Sequence, residues 1–301
     1  IIQGVKKNIL TITDVVFIIA PRINAAGRMK HGNYAVELLT EMDYETAIRF
    51  AASIEKFNIE RKEIDKKITY EALQQIEAAD EKEKFSTVVY SEDWHKGVIG
   101  IVASRLIESY YRPTLVFTKS GEKLAASARS VKGFDVYEAL EQCSEHLEQF
   151  GGHKYAAGLT LSPDQYIPFK EKFEAVVKKT IDKELLIPEI AIDSPLELSD
   201  ITPKFFRILK QMGPFGPKNM KPVFTTNAVR DNGYGKRVGV DKSHLKLNII
   251  NGADQKTYNA IGFGLGDKIT STQNDFDIAY NLDENEWNGN TSIQLLIKDI
   301  K

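Results

Sequence analysis

Phe150-Gly151-Gly152-His153-Lys154-Tyr155-Ala156-Ala157-Gly158 sets a glycine pair, a histidine and a third glycine within nine residues. A glycine pair frees the backbone to take positive φ or to approach a ligand closely. His153 follows at once, with a side chain that donates or accepts hydrogen bonds and titrates near neutral pH. A helical pattern precedes it, from Val136 to Phe150, and the apolar run Leu159-Thr160-Leu161 follows. The stretch therefore reads as a hinge between elements with a polar side chain at its tip. Taken alone it fits equally well a helix stop with a capping histidine.

Outward from it, residues 85–183 alternate strand and helix patterns. Ser86–Tyr90, Thr114–Phe117 and Leu124–Arg129 read as strands; Val98–Tyr110 and Gln165–Lys183 read as helices. Alternation of this kind implies a sheet with helices packed on it. Ahead of it, Ala47, Ala51, Ile54, Phe57, Ile64 and Ile68 recur at three-to-four spacing, with one long gap at Arg61. That pattern predicts a helix from Asp43 to about Ala79, either unbroken and bridging domains or split near Asn58. Val15–Ala20 reads as a strand or short buried helix closed by Pro21. Behind it, Ile187-Pro188 reads as a linker. Strand-like runs then occur at Ile190–Ile192, Val223–Thr226, His244–Ile250, Thr257–Phe263, Phe276–Leu282 and Thr291–Ile297, with helical pattern only at Pro203–Met212. Clusters such as Asp231-Asn232-Gly233 and Asn288-Gly289-Asn290 separate the runs, which suggests a small all-β barrel.

The 301 residues suit about two or three domains. No apolar run approaches the ~20 residues of a membrane span. The single cysteine, Cys143, excludes an internal disulfide and a cysteine-rich zinc site, and it fits a reducing, cytoplasmic setting. The chain starts without an initiator methionine, which fits a fragment of something longer. The net charge of −2 is uneven: Lys204–Lys246 holds ten Lys/Arg against Asp231 and Asp241. A local excess of this size is a footprint for a polyanion, or else a solvated basic face.

Three further motifs carry possible chemistry. Pro21–Arg28 sets Arg22 and Arg28 around Asn24 and an Ala-Ala-Gly turn, either an anion clamp or a salt bridge across a domain seam. Trp94-His95-Lys96-Gly97-Val98-Ile99-Gly100 opens a helix, whose N-terminus with His95 and Lys96 suits a phosphate; a plain structural turn is the alternative. Ser127 and Arg129 are two apart on a strand and share a face, a pocket for a phosphate end or a surface arginine at a strand edge. The histidines at 31, 95, 146, 153 and 244 are far apart, and no H-x-H, H-E-x-x-H, D-H-H, G-x-S-x-G or Walker A pattern occurs. His146 reads as exposed in a charged helix, and His244 as a residue within reach of nucleic acid.

In order, these motifs resemble the RecJ family of bacterial single-strand-specific exonucleases, members of the DHH phosphoesterases. Met212-Gly213-Pro214-Phe215-Gly216 with Asn219 and Pro222-Val223-Phe224 is similar to that family's junction into its OB-fold domain. The resemblance covers nearly the whole chain. It implies an α+β and α/β architecture: 1–40 as the tail of a DHH-type domain, 41–82 as a long bridging helix, 83–186 as an α/β DHH-associated domain, and 187–301 as a C-terminal OB-fold β-barrel.

For function the resemblance implies 5′→3′ hydrolysis of single-stranded DNA, in DNA repair and recombination, by a two-metal mechanism with Mn²⁺ or Mg²⁺. The family's metal ligands lie in the DHH domain, and the motifs that hold them do not occur in this sequence. The expectation is therefore a chain that binds single-stranded DNA, binds no metal and does not cleave. It also implies a site: Ser127 and Arg129 on the 5′-phosphate with Arg22 or Arg28, Asn24, His95, Gly151 and Gly152 beside them, and His153 at the cleft near the scissile phosphate. On the OB-fold, Lys218, Arg230, Lys236, Arg237 and Tyr234 are expected on the DNA face, with Phe215 and Phe263 as further stacking candidates. A monomer is expected, away from membranes, with single-strand-binding protein as a possible partner. Two alternatives stand beside this reading. One is another DHH-family phosphodiesterase acting on short oligonucleotides, which generally lacks the appended β-domain. The other is a non-catalytic nucleic-acid-binding protein.

Overall fold

The computed structural model describes residues 10–251, 254–287 and 289–301. The first nine residues of the 1–40 segment, and Asn288 of the second turn cluster, lie outside them. The chain divides into two compact units, Ile1–Pro188 and Glu189–Lys301.

The first unit opens with α1 (Ile12–Asp14), capped by the Thr11 hydroxyl, then a π-helical turn over Val15–Ile19, then α2 (Ala20–Met29). Pro21 does not close this run, as the sequence suggested; the helix passes through it. The Ala20 N–H reaches back five residues to the Val15 carbonyl, so the hydrogen-bond ladder has already shifted where the proline lacks a donor. After α3 (Asn33–Thr40) comes α4 (Tyr44–Ala78), 35 residues and about 52 Å long. Asp43 caps it, accepting from the Thr46 N–H at 2.8 Å. It is one helix, with no break near Asn58. Its buried face changes character along its length. Ile54 packs with Ala26 and Ala35, whereas Ile68, Ala72 and Ile76 join a second cluster with Trp94, Val98 and Leu106. Between the two lie fully buried Asn58 and Asp65, with Arg61 between them. The gap in hydrophobic period at Arg61 is this polar seam.

The α/β part follows: β1 (Thr87–Tyr90), α5 (Ile99–Ser109), β2 (Thr114–Ser120), β3 (Lys123–Arg129), α6 (Val136–Glu141), β4 (Gln149–His153), β5 (Ala156–Leu161) and α7 (Tyr166–Thr180). The sheet order is β1-β2-β3-β5-β4, parallel only between β1 and β2. Alternation along the strands gives it two faces. Leu115, Phe117, Ala126, Ala128, Leu159 and Leu161 point to the back, where α6 and α7 seal them with Leu140, Phe169 and Phe173. Each such Leu or Phe, fully buried, contributes about 1.5–3 kcal/mol. On the front, Val89 and Val116 meet Ile99, Val102 and Leu106 of α5. Helix α5 packs on β2 and β3, and the front of β5 and β4 stays open: Gly151, His153 and Gly158 are exposed.

One expected helix is two elements. Val136–Phe150 becomes α6, ending at Glu141, a short 3₁₀ turn at Ser144–His146, and then a strand. Phe150 pairs with Leu159 and packs on the same core as Leu140, so its helical spacing from α6 records a shared core rather than a shared helix. His146 is only one-fifth exposed, its Nδ1 2.9 Å from Gln165 Oε1, not free on a charged helix.

In the second unit, β6 (Ser194–Pro195) and α8 (Pro203–Gln211) precede β7 (Phe224–Asp231), β8 (Lys236–Val238), β9 (His244–Asn251), β10 (Asp254–Gly262), β11 (Phe276–Trp287) and β12 (Asn290–Ile300). The expected strand at Ile190–Ile192 is not one; both isoleucines are exposed, and the short edge strand β6 comes two residues later. Pairing runs β7–β9–β10–β12–β11 and returns to β7. It is antiparallel except for β10–β12, where Asn259–Ile261 run parallel to Gln294–Leu296. Inward residues Val229, Leu245, Leu247, Ile249, Ala260, Tyr280 and Leu295 fill the interior. A five-strand circuit of this kind is the OB-fold arrangement.

Candidate functional site

The open front of the sheet is where the sequence motifs meet. In the strand register Ser127 lies opposite Gly158, and Gly158 opposite Gly151; Arg129 lies opposite Ala156, and Ala156 opposite His153. Directly opposed residues share a face, so two rows cross three strands, about 10 Å from end to end. One row is Ser127 and two glycines. The other is Arg129, an alanine and His153.

The glycines differ in what they do. Gly152 has φ +153°, and a Cβ there would lie 2.3 Å from the Ala156 carbonyl oxygen and 2.5 Å from Ala157 Cα, so the hairpin requires glycine. At Gly151 a Cβ would meet nothing within 4 Å, and at Gly158 only the Ala126 carbonyl at 3.9 Å. The fold does not need those two, and what they leave is a bare ledge of backbone.

Helix α5 begins at the rim of the ledge without a side-chain cap. A Cβ on Gly100 would come within 2.9 Å of Arg129 Nη2 and 3.0 Å of Ser127 Oγ, so this glycine lets the first turn of the helix touch the pair. Arg129 Nη1 donates to Ser127 Oγ at 2.9 Å and to the Ala128 carbonyl at 2.7 Å. Burial lowers the Arg129 pKa, and Arg28 lowers it further. Arg28 arrives from the end of α2: its Nη1 donates to the Gly97 carbonyl at 3.1 Å, and its own carbonyl lies where a Gly97 Cβ would be. Among the described residues neither Arg28 nor Arg129 has a carboxylate partner. The corner thus carries two guanidiniums, a hydroxyl and a helix N-terminus, a combination that stabilises an anion.

The other residues singled out in this unit fall into place around it. Arg22 forms a forked salt bridge to Glu55 and donates to the Ile18 carbonyl at 2.7 Å, so it staples α2 to α4 and is not free as Arg28 is. Asn24 is exposed on α2. His95 Nδ1 accepts from the Gly97 N–H at 3.1 Å and shapes the turn into α5. Lys96 reaches Ser120 on β2. His153 is exposed, its Nδ1 accepting from the Tyr155 N–H at 3.3 Å. Sequence reasoning missed Arg61 and Arg105, which come near this corner only through the packing of α4 and α5; no motif marks them.

In the OB unit the basic segment is less free than its composition suggests. Lys210, Lys221, Arg230 and Arg237 pair with Glu284, Asp283, Asp275 and Asp267 respectively. Arg237 also donates to the Gly266 carbonyl. Its cross-strand partner Leu245 is a core residue, so Arg237 and its neighbour Lys236 lie on opposite faces of the strand. Lys236 is directly opposite Lys246 and exposed like it. Like charges so placed repel. Beside them His244 meets Phe263 edge-on, ring centroids 5.2 Å apart, and Phe263 is 63% exposed. Tyr234 in the preceding loop is 72% exposed; Lys218 is exposed on a tight turn at φ +69°, next to half-buried Phe215.

Among the described residues no group of three or more His, Cys, Asp or Glu could hold a metal ion, and no helix is long and apolar enough to cross a membrane.

Comparison with known proteins finds two named domains in the chain. Residues 83–179 match the DHHA1 domain and residues 192–299 the RecJ OB domain. The chain is 35% identical over 288 residues to the single-stranded-DNA-specific exonuclease RecJ of Bacillus subtilis, covering 94% of this chain and 36% of that one. It is 31% identical over 303 residues to the RecJ of Escherichia coli K12, covering 97% and 52%. The crystal structure of Thermus thermophilus RecJ in complex with Mg²⁺ superposes on 96% of the chain with a TM-score of 0.82 at 28% identity, covering 43% of that structure; a Mn²⁺ complex of the same protein gives 0.81. The chain thus spans about a third to a half of the length of the relatives it matches. It carries a DHHA1 domain followed by a RecJ OB domain, and over nearly its whole length it is similar to the C-terminal part of RecJ single-stranded-DNA-specific exonucleases.

Proposed function

We propose that this chain is the strand-holding part of a RecJ-type 5′→3′ exonuclease. It binds single-stranded DNA, seats the 5′-phosphate at Ser127, Arg129 and Arg28, and does not itself cleave. The observation that carries this reading is the corner where an uncapped helix start, Ser127 and two guanidiniums without carboxylate partners overlook a ledge of glycines the fold does not require. A terminal phosphate offers three acceptor oxygens to those donors, and the bare backbone at Gly151 and Gly158 lets the first nucleotide lie close to the sheet. His153, at the far end of the second row, is placed to meet the strand beyond the phosphate. On the OB unit, Lys236 and Lys246 serve the backbone of the strand, while Tyr234 and Phe263 offer faces for bases.

The metal ions held by the Thermus relative do not fit the described residues, so no hydrolytic step is assigned to this chain. Turnover by purified chain loaded with Mn²⁺ would overturn that part of the proposal.

Fluorescence anisotropy with matched oligonucleotides, one 5′-phosphorylated and one 5′-hydroxyl, tests the pocket. The phosphorylated strand is expected to bind more tightly. Arg129→Ala is expected to remove that preference at a cost of about 1.5–3 kcal/mol, the worth of a charged hydrogen bond. Equal affinity of the wild-type chain for both strands would refute the end pocket.

A further inference from the structure

The polar seam on α4 holds more positive charge than its one carboxylate balances. Arg61 Nη1 lies 3.3 Å, and Arg105 Nη2 of α5 2.8 Å, from the same oxygen, Asp65 Oδ2. Asp65 is fully buried, Arg61 is 11% exposed, and Arg105 is 47% exposed. Burial lowers the Arg61 pKa; Asp65 opposes this, and Arg105 and Arg28 add to it. Arg28 therefore acts on Arg61 on one side and on Arg129 on the other. Arg61 and Arg105 thus share one carboxylate, and Arg28 adds a third positive charge beside Arg61.

The hydrogen bonds there are also unbalanced. Asn58 Oδ1 accepts from Arg61 Nη2 at 2.9 Å, yet Asn58 Nδ2, on a side chain with no solvent exposure, donates to nothing among the described residues. Asp65 Oδ1 and Thr69 Oγ1 are likewise unpaired, but an acceptor and a donor one turn apart complement each other. What remains is a buried amide donor on the side chain that also accepts from Arg61. A buried unpaired donor is costly, and here the natural complement is an anionic oxygen.

We propose that Arg61 and Arg105, gathered on Asp65 beside Arg28, form a second anion subsite that takes an internal phosphodiester of a bound strand. Arg105, half exposed, is its open side; Arg61 forms its floor, with buried Asn58 behind it; Asp65 holds the two arginines of different helices at a fixed spacing. The subsite rests on the reading of the chain as a single-strand binder, and it differs from the end pocket in being indifferent to the 5′ terminus.

The test is a salt titration of the whole chain with 5′-phosphorylated and 5′-hydroxyl oligonucleotides. Arg105→Gln is expected to weaken both by the same factor, about ten-fold, and to lower the slope of log K against log salt by about 0.7, the value for one phosphate contact on a single strand. Arg105→Lys is expected to keep the slope, which a merely structural role for the side chain would not predict. Unchanged affinity and slope in Arg105→Gln would overturn the subsite, as would a loss confined to the phosphorylated strand, which would move Arg105 into the end pocket. Equal wild-type affinity for both strands, with the slope still falling in Arg105→Gln, would sink the end pocket and leave this subsite standing.

Discussion

Three glycines within eight residues separate what the hairpin needs from what a ligand needs. Gly152→Ala puts a Cβ at φ +153° and within 2.3 Å of the Ala156 carbonyl oxygen. Backbone strain of this kind costs about 1–3 kcal/mol, and overpacking about as much again. The hydrogen-bonded neighbour β5 cannot retreat without disturbing its pairing to β3, so the sum is expected to fall at about 2–6 kcal/mol. Gly151→Ala, one residue earlier, meets nothing, and its φ is not positive. It removes only the entropy of a glycine in a strand and is expected to stabilise by about 0.4–1 kcal/mol. Gly158→Ala, with one contact at 3.9 Å, is expected to behave similarly. Urea denaturation of the three variants reads these differences directly. Binding inverts the order: Gly151→Ala and Gly158→Ala, though stable, place methyl groups on the ledge beside Ser127 and are expected to weaken single-stranded DNA by about ten-fold or more. If Gly151→Ala unfolds as easily as Gly152→Ala, the distinction between a structural and a ligand-facing glycine is wrong. If both ledge variants bind DNA as well as wild type, the strand does not lie where we place it.

Two further expectations concern stability. Arg112, buried, donates to the carbonyls of Glu81, Lys82 and Lys84 and to Thr87 Oγ1, so it ties the turn after α4 to β1. Arg112→Ala is expected to cost about 3–5 kcal/mol through the acceptors it strands, and Arg112→Lys, which lacks the fork, most of that; thermal melts showing a loss below 1 kcal/mol, by the order of magnitude of one exposed pair, would refute the role. In the OB unit, the hydrogen bond from Arg230 lowers the Asp275 pKa below its ordinary 3.8, and the Arg230 charge adds to this. A depressed folded pKa stabilises above the unfolded value and ceases to do so as pH falls through the folded one. Asp275→Asn is therefore expected to be less stable than wild type at pH 7, the gap closing below pH ~4; a gap that persists unchanged at pH 2.5 would contradict it.

Much of this protein is written locally. The period of Ile54, Ile64 and Ile68, with Asp43 as a cap, determines α4, because a helix is held by bonds four residues apart. The β-branched run at Thr87–Val89 and the apolar-polar alternation from Leu245 to Ile249 determine strands, because side-chain branching and alternation on a pleated surface are also local. The order of Pro21–Arg28, Trp94–Gly100, Ser127–Arg129 and Gly151–Gly158 pointed to the family before any of them had a position in space. Long-range pairing decided the rest. Phe150 is a strand residue because Leu159 stands opposite it, although its spacing from Leu140 looks helical. The positive excess of Lys204–Lys246 is halved in effect by Asp267, Asp275, Asp283 and Glu284, acids that lie beyond it in sequence and beside it in the barrel. Arg22 and Arg28 cannot be ranked from a motif that holds both; Glu55 on α4, beside Arg22 in space and 33 residues away in sequence, takes the first, while among the described residues the second meets only the Gly97 carbonyl. The meeting of Arg61 and Arg105 on Asp65 has no sequence signature, because what makes it is the packing of two helices rather than the spacing of residues within either.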